Sequence, residues 1–211
     1  MKKNHILYIL ILVLSLGTLF YILINSNQEK DMTFNAHAGN LELDNWNQED
    51  VIDLYGQWLF YPDMLYDDID KNSSPLVKKV SHWWEEDREL DYNPYGYGTY
   101  ILSIKGLEPN REYAISVIDV VTAYNLYVNG EKTISNGTVG RSKATSTPNW
   151  EQKTTMFKAD GKGQVNIAIE VSNFDYYRGG LWNTPELGSV QAILDYHNRE
   201  KVIEMFLFGV L

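Results

Sequence analysis

An alternation of apolar and polar residues along the middle of the chain predicts a β-rich domain. The alternation is cleanest at residues 164–172, where four β-branched side chains would face one side of a sheet, namely Val165, Ile167, Ile169 and Val171. A strand predicted at residues 54–61 ends at Pro62, which cannot donate a backbone hydrogen bond. Further strands are predicted at residues 99–104, 113–120, 123–128, 131–134, 154–158 and 181–187.

The dipeptide Asn129-Gly130 predicts a hairpin between the strands at 123–128 and 131–134. Asn-Gly is preferred in type I′ turns because both central residues need a positive φ. Several short strands separated by turn signals favour an antiparallel β-sandwich or jelly roll, so the predicted fold class is all-β.

The first part of the chain predicts a membrane anchor. Residues 5–24 carry no formal charge at neutral pH and follow Lys2 and Lys3. A helix of this length, rising about 1.5 Å per residue, spans a hydrocarbon core of roughly 30 Å. A cleaved signal sequence is the competing interpretation, but its apolar core usually has about 7–15 residues and precedes a small-residue cleavage site, which residues 24–28 lack. The two lysines would stay cytoplasmic, which puts the rest outside the cytoplasm.

The last part of the chain has a helical pattern that becomes apolar at residues 202–211, where Glu204 is the single charged residue. We expect the start of a truncated transmembrane segment there; a helix packed on the domain is the alternative. The predicted organisation is therefore an anchor or signal sequence at 1–25, a linker at 26–50, a jelly roll at 51–188, and at 189–211 a helix leading toward a membrane segment.

Composition narrows the classes of function. The 211 residues include 18 Lys+Arg against 28 Asp+Glu, a formal net charge of −10, which argues against binding to nucleic acid. The absence of cysteine excludes disulfides and thiolate metal sites. The sequence contains no G-x-S-x-G, Walker or H-E-x-x-H motif, and no pair of carboxylates stands out for glycoside hydrolysis. We therefore predict neither catalytic residues nor a cofactor.

Four aspartates form an acidic cluster after Pro62: Asp63, Asp67, Asp68 and Asp70. Calcium takes several oxygen ligands at once, so the cluster is a candidate for a structural Ca²⁺ site. The EF-hand spacing is missing, and a solvated acidic loop is the favoured interpretation.

Aromatic and polar residues on predicted loops are the positive signal for a binding site. Sugar rings have apolar faces and hydroxyl edges, which suit aromatic side chains beside hydrogen-bonding groups. The candidate ligand-binding residues are Arg178, Trp182, Asn173, Tyr176, Tyr97, Trp84 and Trp150. The competing interpretation is that the aromatic residues close the ends of the core, and that Arg178 forms a salt bridge with Asp175 or Glu186.

Four segments together resemble a known family: GQWLFYP at 56–62, GYGTY at 96–100, AYNLYVNG at 123–130 and SNFxxxxGGLW at 172–182. They are similar to the extracytoplasmic galactose-binding-like jelly roll of bacterial seven-transmembrane receptors with diverse intracellular signalling modules. V-N-G followed by G-G-L-W also resembles the non-catalytic sugar-binding domain of family-two glycoside hydrolases, whose catalytic barrel this chain lacks.

The receptor resemblance implies a sensor domain at the cell membrane, on its extracytoplasmic face. It would bind a carbohydrate or other small molecule and couple to a seven-helix membrane region. A histidine kinase or diguanylate cyclase output would lie in a longer protein, so the chain itself is not expected to be an enzyme. Two alternatives stay open: a membrane-tethered carbohydrate-binding module without a signalling role, and a purely structural ectodomain. A homodimer is compatible with the structural alternative.

Overall fold

A computed structural model describes residues 2–26, 34–84, 93–118, 120, 122–207 and 209. Parts of the predicted linker (27–33), of the strand at 113–120 (Asp119) and of the C-terminal segment (208, 210 and 211) lie outside the described residues. The described elements are α1 (Lys2–Ser26), β1 (Asn40–Glu42), β2 (Ile52–Asp53), β3 (Gln57–Pro62), a 3₁₀ turn (Tyr66–Asp68), β4 (Leu76–Lys79), β5 (Gly96–Lys105), β6 (Glu112–Val117), β7 (Ala123–Val128), β8 (Glu131–Asn136), β9 (Lys153–Lys158), β10 (Gln164–Asn173), β11 (Glu186–Ser189) and α2 (Val190–Leu207).

The described strands form two sheets in a sandwich-like arrangement. The larger sheet has the order β4-β3-β5-β10-β7-β8, and β1 pairs in parallel with β5 beside β3. The smaller sheet has the order β2-β11-β6-β9. Every pairing except that of β1 is antiparallel. The predicted mostly-β, antiparallel class is therefore confirmed.

Residues of both sheets share one apolar core. Tyr113 and Ile115 of the smaller sheet and Leu102 and Ile167 of the larger sheet are buried in the same cluster. Trp58 is fully buried, and its indole Nε1 donates to the carbonyl oxygen of Leu54 at 3.0 Å, so burial leaves its polar atom satisfied. The strands packed on this core include β3, β5 and β10, whose ends carry the loops of the candidate site.

The elements with the strongest local signals lie where the sequence predicts them. β7 has the predicted bounds, and Asn129 and Gly130 have φ values of 50° and 87°, as the predicted hairpin turn requires. β10 extends the predicted strand by one residue, and the four β-branched residues of its apolar face are buried.

The structure differs from the predictions at three short strands, at the start of the β-rich unit and at the start of the last predicted strand. β1 lies within the predicted linker, where Leu41, Leu43 and Trp46 are buried, so the β-rich unit extends through Asp31–Ile193. β2 and β4 carry no alternation long enough to be recognised. The strand predicted at 181–187 is formed only from Glu186 onward, because Pro185 before it has no N–H to donate.

Two helices complete the described part of the chain. α2 begins directly after β11, and the Ser189 hydroxyl accepts a hydrogen bond from the Ala192 N–H at 3.1 Å. α1 and Leu194–Leu211 belong to a second unit, separate from the β-rich one. Within the residues that the structure describes, no helix has an apolar stretch long enough to cross a membrane.

Candidate functional site

Three strand ends converge at one end of the larger sheet. Pro62 at the end of β3 pairs with Gly98, and Asn173 at the end of β10 pairs with Gly96 at the start of β5. The loops that follow or precede these ends carry most of the candidate binding residues. The sheet register thus gathers residues that are up to 110 positions apart in the sequence, as between 63 and 173.

A small open cleft lies at this end, with about 370 Å³ of empty space including the solvent at its mouth. Aromatic and apolar side chains form much of its wall, and Asp63 and Asn93 add polar groups. The lining residues are Phe60, Pro62, Asp63, Trp84, Asn93, Tyr95, Gly96 and Tyr97.

Trp84 forms the inner wall of the cleft and is only 5% exposed. Its Nε1 donates to the Tyr100 hydroxyl at 2.8 Å, and its backbone N–H donates to the Gly179 carbonyl at 3.0 Å. A Cβ at Gly179 would lie 2.6 Å from the Trp84 ring, and one at Gly180 would lie 2.9 Å from it. Two glycines are therefore needed for the loop to pack against the indole.

Asn173 holds the loop after β10 in place. Its Nδ2 donates to the carbonyl oxygens of Pro94 and Tyr176 at 2.8 Å and of Arg178 at 3.1 Å. Its Oδ1 accepts from the Tyr176 N–H at 3.1 Å. The buried amide is thus occupied by backbone groups of two loops, and it ties the loop 173–180 to the segment that lines the cleft.

Arg178 lies beside the cleft and stacks on aromatic rings. Its guanidinium carbon is 3.5 Å from the centroid of the Trp83 ring and 5.0 Å from that of Tyr177. Asp175, a salt-bridge partner considered for Arg178, pairs instead with Lys143 at 3.0 Å. Among the described residues, no hydrogen bond or ion pair is formed by the guanidinium N–H groups of Arg178.

Further aromatic side chains contact one another next to Tyr177. Trp150 is 58% exposed and meets Tyr176 edge to face at 5.2 Å, and the Tyr176 and Tyr177 centroids are 4.5 Å apart. A hydrogen bond with Tyr177 raises the pKa of the Tyr176 phenol. Trp182 is half-buried, and its Nε1 is buried without a hydrogen-bond partner among the described residues.

The structure thus divides the seven predicted binding residues. Trp84 and Tyr97 line the cleft, whereas Arg178, Tyr176 and Trp150 belong to the aromatic surface beside it. Asn173 bonds to the backbone of the loops, and Trp182 is half-buried outside the cleft. Sequence reasoning placed Asp63 in the acidic cluster and did not select Asn93. One local signal was available for Asp63, because an aspartate directly after a strand-ending proline is a common turn residue; its φ is 53°.

The acidic cluster is engaged by hydrogen bonds. Asp68 accepts from Arg141 at 2.8 Å, which lowers the pKa of its carboxyl group, and Asp70 accepts from the backbone N–H groups of Asn72 and Ser73. In the part of the chain that is described, no three His, Cys, Asp or Glu side chains are close enough to hold a metal ion.

Glu170 is a carboxylate outside the acidic cluster. It lies on the face of β10 that points away from the core, yet it is only 3% exposed. The Tyr66 N–H donates to Oε1 at 2.7 Å; Asn125 Nδ2 and the Tyr127 hydroxyl donate to Oε2 at 2.8 and 3.1 Å. The Tyr66 ring stacks on the ring of Tyr127 at 4.4 Å. Burial raises the pKa of Tyr127, so its phenol remains a donor.

No protein-family model matches this sequence, and no curated protein has significant similarity to it. Among solved structures, the chain is similar to a GH2 β-galacturonidase from Eisenbergiella tayi, with a TM-score of 0.48 and 14% identity over 66% of this chain and 24% of that one. It is also similar to a β-glucuronidase from Ruminococcus gnavus, with a TM-score of 0.45 and 13% identity over 65% of this chain and 28% of that one. The chain spans about a quarter of the length of these enzymes. Similarity at this level assigns no function.

Proposed function

We propose that the β-rich unit binds a small polar ligand, with a carbohydrate as the best-fitting class, in the cleft between Asp63 and Tyr97. One observation carries this proposal: aromatic and apolar side chains line an open cleft that also offers an exposed carboxylate and an amide. The apolar face of a sugar ring packs on aromatic side chains, while its hydroxyl groups donate to a carboxylate such as Asp63.

The cleft is preorganised for such a ligand. Trp84 is fixed by hydrogen bonds at both its indole and its backbone, and Asn173 ties the neighbouring loop to Pro94. A rigid wall loses little conformational freedom when a ligand binds, which favours affinity. Asp63 is held by its own backbone N–H, which donates to the Tyr97 carbonyl at 3.0 Å.

Calorimetric titration and thermal unfolding of the 211-residue chain with a panel of neutral sugars test the binding role. A ligand at about 100 times its Kd adds roughly 2.7 kcal/mol, or several degrees in Tm. Tyr97→Ala should abolish this shift, whereas Tyr55→Ala removes a half-buried tyrosine that does not line the cleft and should retain it. A flat panel, or a shift that survives Tyr97→Ala, would contradict the proposal.

We also propose that this binding domain is the extracytoplasmic sensor of a membrane receptor. The four segments that resemble the receptor family support this role. So do the apolar side chains of α1, which are exposed at every position from Ile6 to Leu14 and would be unfavourable in water. The proposed location is the cell membrane, with residues 31–193 on its outer face. Membrane fractionation with protease accessibility in intact cells tests that location.

Signalling requires that the ligand favour one of two conformations of the receptor. The route proposed here runs through β11, a central strand of the smaller sheet, into α2, which follows it without a loop. Hydrogen exchange of the α2 amides with and without bound sugar tests this coupling. If sugar binds but exchange in α2 does not change, a tethered carbohydrate-binding module replaces the sensor as the better description.

A further inference from the structure

Arg178 differs from two other arginines that lie near aromatic rings. Arg111 lies 5.8 Å from the Tyr113 ring and forms ion pairs with Glu49 at 2.5 Å and Glu108 at 3.0 Å. Arg141 lies 6.0 Å from the Tyr97 ring and pairs with Asp68 at 2.8 Å. Arg178 stacks more closely, yet its N–H groups have no acidic partner among the described residues.

Stacking fixes the plane of the guanidinium group and leaves its edge available. The face of the group is directed at the Trp83 ring, so the N–H donors, which lie in the guanidinium plane, point along the surface. A fork of parallel donors matches the two oxygens of a carboxylate better than it matches a single hydroxyl. Preorganisation reduces the side-chain entropy lost when such a partner binds.

The arginine is adjacent to the cleft through direct backbone contacts. The next residue, Gly179, accepts the backbone N–H of Trp84, whose ring lines the cleft. Asn173 donates both to the carbonyl of Arg178 and to that of Pro94, which directly follows cleft residue Asn93. A ligand that extends out of the cleft past Trp84 would therefore meet the loop that carries Arg178.

We infer that the ligand of this site is a sugar that bears a carboxylate, with Arg178 as the group that recognises the charge. The inference rests on the proposed carbohydrate-binding function of the cleft and adds the chemical class of its ligand. The net charge of −10 does not oppose it strongly, because exposed charges more than about 8 Å apart are largely screened at physiological ionic strength.

The test compares sugars that differ only in the acid group. Calorimetric titrations of the 211-residue chain would use glucuronate against glucose and galacturonate against galactose, with acetate as a simple carboxylate. We expect one acidic sugar to bind at least about tenfold more tightly than its neutral counterpart, the advantage of a charge-assisted hydrogen bond. Raising the salt concentration should reduce this ratio.

Three variants locate the effect. Arg178→Gln should remove the preference for the acidic sugar while neutral-sugar affinity changes less than about twofold, and Arg178→Lys should restore only part of it, because lysine lacks the planar fork. Arg111→Gln is the matched control: it removes the same charge from an arginine that is already paired, and it should keep the full preference.

Equal affinity for acidic and neutral sugars would overturn the inference and leave the proposed function in place. If Arg178→Gln and Arg111→Gln lost the preference for the acidic sugar to a similar extent, the inference would also be overturned, because the change in net charge would then explain the effect. Acetate bound as tightly as the uronates would exclude recognition of the sugar ring. Absence of binding by every sugar would reject the inference and the proposed function together.

Discussion

Glu170 and Asp63 are two carboxylates near the same end of the larger sheet, and their surroundings are opposite. Glu170 is buried and accepts hydrogen bonds from Tyr66, Asn125 and Tyr127. Asp63 is exposed at the cleft, and no described residue donates a hydrogen bond to its carboxylate. A buried carboxylate that already accepts three hydrogen bonds serves the fold, whereas an exposed one with free capacity at a cleft is available to a ligand.

One short segment connects the two environments. Asp63 lines the cleft, and three residues later the Tyr66 backbone N–H donates to Glu170 while the Tyr66 ring stacks on Tyr127. The buried carboxylate therefore anchors the segment that presents the exposed one. Variants along this segment should separate effects on stability from effects on binding.

The largest effect is expected for Glu170→Ala. The substitution leaves the buried Tyr127 hydroxyl and two half-buried N–H donors without this acceptor, and we expect a loss of about 3 kcal/mol in the free energy of unfolding. For a chain of this size the Tm should fall by roughly 6–12 °C. Urea unfolding measures the loss.

Glu131→Ala, at an exposed position on β8 of the same sheet, is the control for Glu170→Ala and should change stability by less than about 0.5 kcal/mol. Equal effects of the two substitutions would show that the hydrogen bonds to Glu170 contribute nothing particular to the fold.

Gly179→Ala should have the next largest effect. The added methyl group would overlap the Trp84 ring and the Pro94 carbonyl, so the loop, the cleft wall or both must move. We expect a loss of about 1–3 kcal/mol in stability together with weaker sugar binding. Gly161→Ala is the matched change in open space, since no atom lies within 4 Å of its added Cβ. A Gly179→Ala variant with unchanged stability and affinity would show that the packing against Trp84 is dispensable.

The sequence predicts those parts of the fold that depend on neighbours in the chain. The hairpin of β7 and β8 follows from alternation and from Asn129-Gly130. β1 and β4 were not predicted, because these strands of three and four residues are defined by pairing with β5 and β3 rather than by their own pattern.

Prediction of the site was limited for the same reason. Trp84 and Tyr97 were selected by residue type, and both line the cleft. Asp63 and Asn93 reach it only through the register of β3, β5 and β10, which the sequence does not reveal. The alternation in β10 puts Glu170 on the side opposite the four β-branched residues, where exposure is expected; it is buried because residues 63–68, more than 100 positions earlier, fold over that side.

A smaller effect, on binding alone, is expected for Asp63→Asn. Asparagine tolerates the positive φ of 53° at this position, so stability should change by less than about 0.5 kcal/mol. Loss of the charge weakens the hydrogen bonds that the side chain accepts from sugar hydroxyls, and we expect roughly fivefold lower affinity for a neutral sugar. Calorimetric titration measures it. Reduced stability with unchanged affinity would reverse the roles assigned to Asp63 and Glu170.

The smallest effect concerns Asp68, whose surroundings are intermediate between those of the other two carboxylates. Its side chain is 32% exposed and accepts from Arg141 and from the Leu65 N–H, and both bonds lower the pKa of its carboxyl group. A lowered pKa in the folded state means that this stabilisation is present above the unfolded-state pKa of about 3.9 and is lost as the pH falls through the folded value.

Arg141→Gln should raise the pKa of Asp68, but not fully to its ordinary value, because the Leu65 N–H still donates. A carbon-13 NMR titration of the Asp68 carboxyl group measures the change. The variant should be slightly less stable than the parent chain near pH 7, and the gap should close as the pH falls through the lowered pKa of Asp68, because the carboxyl group is then protonated in both proteins. A gap that persists in acid would mean that Arg141 stabilises the chain through the Tyr97 ring, which lines the cleft, and not through Asp68.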